Sequence, residues 1–117
     1  LTVVQHYPAD QAALARLCPA DSRVADRFEI FSGELELANG YVELTDASEQ
    51  RQRIERDIAL REQSGRSSLP TDESLIAALE AGLPECAGVS VGIERLHMVL
   101  DQAEDIRDVI NFATETA

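Results

Sequence analysis

A chain of 117 residues, 44% hydrophobic and 27% charged, holds material for one domain and too little for two well-filled cores. Ten basic residues, all of them Arg, stand against 22 acidic ones and leave a net charge of -12, a surface that repels nucleic-acid phosphate and argues against autonomous nucleic-acid binding. No apolar run reaches the length of a membrane span and no signal-peptide pattern is seen, so the expected location is cytoplasmic.

In chain order, LTVVQHY at the start is a β-like run, and a chain opening inside one reads as a piece of a longer protein. Thr2 to Tyr7 predicts a strand ended by Pro8. Asp10 as N-cap predicts a helix over 11–17 that stops before Pro19. His6 could serve as a base or ligand, although a lone His at a strand end is more often a packing or local hydrogen-bonding residue. Cys18 and Cys86 have no metal-ligand spacing and are expected to be free thiols. Arg23 to Phe31 leads into a second strand whose two faces are both largely apolar, as in an interior strand.

Residues 28–46, FEIFSGELELANGYVELTD, organise the rest. Acidic and apolar residues alternate with strand periodicity. Two turns are possible. Asn39-Gly40 is the commonest two-residue hairpin loop and would set Glu36 directly opposite Glu43. Alternatively the chain reverses at Ser32-Gly33-Glu34, and Asn39-Gly40 becomes a kink or bulge in the returning strand. Like charges on one face destabilise a sheet unless something answers them. The pair therefore suits a divalent cation or an ammonium group, or else it is the polar face of an edge hairpin meeting water.

Asp46 or Ser48 predicts the start of a long polar helix over 47–63, with a narrow Ile54–Ile58 stripe and an Asp57–Arg61 pair, a solvated surface helix. Residues 64–70 are an exposed connection. Asp72 starts a second helix with Leu75, Ile76, Leu79 and Leu83 inward, stopped by Gly82 and Pro84. In AGVSVGIERLHMVL, Val89 and Val91 fit a buried strand, and Gly88 and Gly92 leave room for a flat ligand. A helix follows, with Ile93, Leu96, Val99 and Leu100 inward. Arg95 in its first turn opposes the helix dipole, so it answers either a phosphate-like anion or a surface carboxylate. Asp105 caps a last short turn.

Together these segments resemble the C-terminal part of the class II lysyl-tRNA synthetase catalytic domain. RFEIFSGELELANGYVELTDASEQRQRIE is similar to the stretch bearing the active-site acids, and AGVSVGIERL, within residues 87–100, is similar to class II motif 3. The resemblance runs through essentially the whole chain as one unit, 1–117. It implies an α+β fold: an antiparallel sheet flanked by helices. Within the superfamily the chain resembles most the branch of elongation factor P–lysine ligases, which lack an anticodon-binding domain. HYPADQAALA, Ala38 in ELANG and Ser90 carry that similarity; synthetases have Gly at the last two positions, and the ligases Ala at position 90.

The resemblance implies activation of lysine or (R)-β-lysine by ATP with Mg2+, then transfer to a lysine of elongation factor P, with tRNA disfavoured as acceptor and a homodimeric intact protein. Glu36 matches the acid associated with ATP and magnesium. Glu43 matches the acid that faces the substrate amine and shares the metal. Asn39 matches the Asn that helps hold the amino acid, with Ser90 and Gly88 lining the same pocket. Arg95 matches the motif 3 Arg on the ATP phosphates, and Leu37 and Gly92 lie beside the nucleotide. Motifs 1 and 2 find no counterpart here, so the 117 residues alone are expected not to form an adenylate. The alternatives are a lysyl-tRNA synthetase and a non-catalytic synthetase-like binding module.

Overall fold

The computed structural model describes residues 1–113. Its strands are β1 (Thr2–Gln5), β2 (Leu17–Cys18), β3 (Asp21–Ala25), β4 (Arg27–Ser32), β5 (Leu35–Val42) and β6 (Ala87–Val91). Its helices are α1 (Ala47–Gln63), α2 (Glu73–Ala81) and α3 (Ile93–Asp101), with short 3-10 turns at Ala9–Gln11 and Ile106–Asp108. Four strands form an antiparallel sheet in the order β1-β4-β5-β6, and β2 pairs with β3 separately. This is the expected α+β arrangement. Interior β4 is paired on both edges, by β1 and by β5.

The chain reverses at Ser32-Gly33-Glu34, where Ser32 pairs with Leu35 and Gly33 takes a φ of 60°. That left-handed value is one that Gly adopts without steric cost. Asn39-Gly40 is neither a hairpin loop nor a bulge: β5 passes straight through it, with Asn39 opposite Glu29 and Gly40 opposite Phe28. The irregularity lies two residues before Asn39. Ile30 pairs with Ala38 while Phe31 pairs with Glu36, which leaves Leu37 as one extra residue on β5.

Both long helices start where expected. The Asp46 carboxylate accepts from the Glu49 amide at 2.9 Å, and Asp72 accepts from the Ser74 and Leu75 amides at 3.0 Å. Asp105 likewise accepts from the Arg107 amide. Leu44, Ile76 and Leu79 are buried, and Ala12, Ala15 and Ala25 form a tight cluster with Leu17 and Tyr41 against it. Asp57 pairs with Arg56 at 3.7 Å rather than with Arg61. The polar α1 is not wholly solvated, since Gln50 and Arg53 are buried.

Further expectations are corrected. No helix forms over 11–17. Leu14 and Arg16 instead hydrogen-bond to Leu44 and Val42, Ala15 bridges to Glu43, and Ala13 has a φ of 50°. Long-range pairing here overrides the helix preference of an Ala-rich segment. Val89 and Val91 are exposed, because β6 is the sheet edge among the described residues. Ile93, Leu96 and Leu100 are also exposed, as is Leu83. The amphipathic stripe of α3 is present, but no described element covers it.

Candidate functional site

The bulge at Leu37 decides which side chains share a face. Glu36 and Asn39 are three residues apart, and Glu36 and Glu43 seven. In a regular strand either separation puts the two on opposite faces. Here their partners on β4 are Phe31 for Glu36 and Glu29 for Asn39, two residues apart and so on one face. The extra residue brings Glu36 round to the side of Asn39, Tyr41 and Glu43. The Leu37 side chain is buried, and its carbonyl accepts from the Gly92 amide at 2.9 Å. The bulge is thereby joined to the start of α3.

At one end of this face lies a cleft of about 220 Å³ lined by Asn39, Tyr41, Glu43, Gly88, Val89 and Ser90. Asn39 is directly opposite Ser90, and Tyr41 opposite Gly88. A Cβ built on Gly88 would stand 3.7 Å from Glu43 Oε1, so the missing side chain opens the cleft in front of that carboxylate. The Glu43 backbone is held from two sides, by its bridge to Ala15 and by donation of its amide to the Cys86 carbonyl at 3.0 Å.

At the other end, Arg95 reaches from α3 to β5. Its Nη1 donates to the Glu36 carbonyl at 2.8 Å and lies 3.9 Å from the Glu36 carboxylate. Both side chains keep about two-fifths of their surface exposed, so the guanidinium retains donors for a ligand. A Cβ on Gly92 would lie 3.2 Å from Arg95 Cδ, so this glycine makes room for the Arg stem.

Glu36 and Glu43 cannot hold one ion between them. Seven residues at roughly 3.3 Å each, less the bulge, put their α-carbons about 20 Å apart, beyond the reach of two Glu side chains. The shared metal expected for this pair is therefore withdrawn. Among the described residues no group of three or more His, Cys, Asp or Glu side chains clusters as a metal site. Cys18 and Cys86 are free thiols.

Between the two ends sits a network that the sequence reading missed. Glu29 is buried on β4. Its carboxylate accepts from the Tyr7 hydroxyl and from Arg27 Nη2, each at 2.5 Å, and from Asn39 Nδ2 at 3.3 Å. Arg27 also donates to Asn39 Oδ1 at 3.4 Å and to the Gln11 carbonyl at 2.8 Å, and stacks 4.5 Å from the Tyr7 ring centre. The Asn39 carboxamide is thus held at both its oxygen and its nitrogen. Burial and the Glu29 carboxylate push the Tyr7 phenol up to about 12. Burial and nearby Glu43 raise Tyr41, against the opposing pull of Arg27. The available signal was Arg-Phe-Glu: opposite charges two apart inside an otherwise apolar strand face the same way and answer each other.

A family model described as tRNA synthetases class II (D, K and N) matches residues 1–116. The chain belongs to the class II tRNA synthetase family. Within that family, the elongation factor P--(R)-beta-lysine ligase of Pectobacterium atrosepticum is 54% identical over 114 residues, covering 97% of this chain and 35% of the relative. The protein of that name from Sodalis glossinidius has the same identity and coverage. The one from Pseudoalteromonas translucida is 53% identical over 109 residues, covering 93% of this chain and 34% of the relative. The chain spans about a third of the length of these curated relatives. No described helix is long and apolar enough to cross a membrane.

Proposed function

We propose that the protein carrying this chain is an adenylate-forming ligase of the cytoplasm that activates lysine or (R)-β-lysine with ATP and passes it to a lysine side chain of elongation factor P. In the first step a carboxylate oxygen of the amino acid bonds to the α-phosphorus of ATP and pyrophosphate leaves. In the second the acceptor amine displaces AMP from the acyl carbon. Such chemistry needs positioning and charge neutralisation more than proton transfer by the protein. The carrying observation is the single face on which a carboxylate-walled cleft at Glu43 and a Glu36–Arg95 pair are set apart at opposite ends. The names and identities of the relatives supply the substrate classes.

In this proposal Glu43 takes a substrate ammonium, Asn39 orients the amino acid, and Gly88 and Ser90 shape its pocket. Arg95 binds ATP phosphates, and Leu37 and Gly92 flank the nucleotide. Glu36, a half-exposed carboxylate, would hold a magnesium ion bound with ATP, and the ion would supply neutralisation of phosphate charge. The second acid within reach is Glu29, a diagonal cross-strand neighbour of Glu36 at about 7–8 Å. The chain would be the C-terminal part of the catalytic domain of a homodimer.

The test gives the intact protein ATP, magnesium and labelled α-lysine or (R)-β-lysine, with purified elongation factor P and bulk tRNA in parallel. Label on elongation factor P alone is expected. Label on tRNA would make the protein a lysyl-tRNA synthetase, against the net charge of -12. Label on neither, with nucleotide still bound, would reduce it to a binding module.

A further inference from the structure

We infer that Arg53, buried on α1 and outside the lining of the candidate cleft, is the positioning residue that holds Glu43 and the β6 wall of the cleft in place. Arg53 Nη1 donates to two carbonyls at once, Ala13 at 3.0 Å and Ala15 at 2.8 Å, and Nη2 pairs with Glu49. Charge-assisted bonds from one rigid guanidinium are strong and directional. The segment it grips is itself well buried, with Ala12 and Ala15 almost fully enclosed. Beside the guanidinium a cleft of about 580 Å³ opens between α1 and the residues Ala9, Asp10 and Leu17.

What Arg53 grips runs directly to the site. Ala15 bridges to Glu43, the Arg16 amide donates to the Val42 carbonyl at 2.8 Å, and the Leu44 amide donates to the Leu14 carbonyl at 2.9 Å. The residue on either side of Glu43 is thus bonded to the gripped segment. Arg16, next along, pairs with Asp26 at 3.0 Å and with Glu85 at 3.7 Å. Asp26 donates its amide to the Arg16 carbonyl, and Glu85 precedes Cys86, whose carbonyl takes the Glu43 amide. One buried side chain therefore fastens the end of β5 with Glu43, and through the Glu43 amide and the β5–β6 ladder it reaches the entry to β6 with Gly88 and Ser90; the exposed Arg16–Glu85 pair adds little to this. Ala13 is held in its left-handed conformation between the same bonds, a conformation disfavoured for Ala.

The catalytic consequence rests on the proposed adenylate chemistry; the structural one does not. The experiment therefore reads both, on the intact protein carrying Arg53→Met, which keeps the apolar stem and removes the donors. Amide hydrogen exchange is expected to accelerate about tenfold or more at Arg16, Val42 to Leu44 and Ala87 to Val91, with the Phe31 to Leu35 hairpin unchanged. Arg53→Lys, which keeps one donor group, should restore part of the protection, and it serves for the same comparison should Arg53→Met fail to fold. Arg51→Ala, which breaks the exposed α1–α2 pair with Glu73, should leave these amides as they are. In amino-acid-dependent ATP–pyrophosphate exchange, KM for the amino acid should rise about tenfold with KM for ATP within about twofold. Unchanged exchange around Glu43, a uniform rise that includes the hairpin, or an equal shift in both KM values would overturn the inference. If the intact protein makes no adenylate, the proposed function fails, and hydrogen exchange alone decides the role of Arg53.

Discussion

Gly40→Ala is the substitution for which the structure supplies the most direct arithmetic. Gly40 is buried in β5 between Phe28 on one side and Val89 on the other. A Cβ there would meet Phe28 Cζ at 2.6 Å, Phe28 Cε1 at 2.7 Å and the Gly88 carbonyl oxygen at 3.0 Å. Carbon atoms rest at about 3.5–4.0 Å, so the ring must retreat by about 1 Å while a backbone carbonyl blocks the other side. Overpacking of this kind costs about 1–3 kcal/mol. Against it stands a gain of about 0.5–1 kcal/mol from replacing Gly by Ala inside a strand. The clash wins by up to about 2.5 kcal/mol, which lowers the folded-to-unfolded ratio by up to about 60-fold. Urea unfolding of the intact protein reads this as a lower midpoint at constant slope. Phe28→Leu shortens the opposing side chain, so the double variant should recover most of the loss due to Gly40→Ala. A Gly40→Ala protein more stable than its parent, or effects of the two changes that add within about 0.5 kcal/mol, would refute the assignment of the cost to the Phe28 ring.

Gly88→Ala makes the opposite contrast. Its Cβ meets only Glu43 Oε1, at an ordinary 3.7 Å, so stability should stay within about 0.5 kcal/mol while KM for the amino acid rises, measured by ATP–pyrophosphate exchange. Arg95→Ala removes a half-exposed pair, which should cost at most about 1 kcal/mol in thermal unfolding yet raise KM for ATP about tenfold or more. Tyr7 has a folded-state pKa of about 12, above the ordinary phenol value. Its contribution to stability is therefore complete below about pH 10 and lost as pH rises towards 12. Tyrosinate absorbance should show this late titration, and Tyr7→Phe should remove both it and the accompanying fall in stability.

The helices that could be read from the sequence were those with local signals. Asp46 and Asp72 cap α1 and α2 through bonds two or three residues away, and a capping residue announces that on its own. The supposed helix over 11–17 also had a cap and good formers, but its fate was decided by Val42 and Leu44, about thirty residues distant. The hairpin offered two turns of acceptable chemistry, Ser32-Gly33 and Asn39-Gly40. Only pairing with β4 and β6 on both edges of β5 chooses between them. Glu36 and Glu43 were expected to face each other across an Asn39-Gly40 turn; the extra residue that instead puts them on one face of a single strand, and the distance that forbids a common ion, follow from register. Arg27 and Glu29 looked like ordinary alternation because their partners, Tyr7 and Asn39, lie on other strands.

The extra residue at Leu37 also constrains how this chain can change through insertion and deletion. Hairpin tips ordinarily absorb changes in length, and an added residue at Gly33 or Glu34 would only lengthen a loop. Between Glu36 and Asn39 the count itself carries information. Losing one residue there would restore a regular strand and turn Glu36 to the opposite side of the sheet, away from Asn39 and Glu43, with every hydrogen bond of the ladder still available. Such a deletion could fold and still lose its acid, whereas many replacements of Leu37 by another apolar side chain would keep it. In this stretch spacing is under tighter physical constraint than identity.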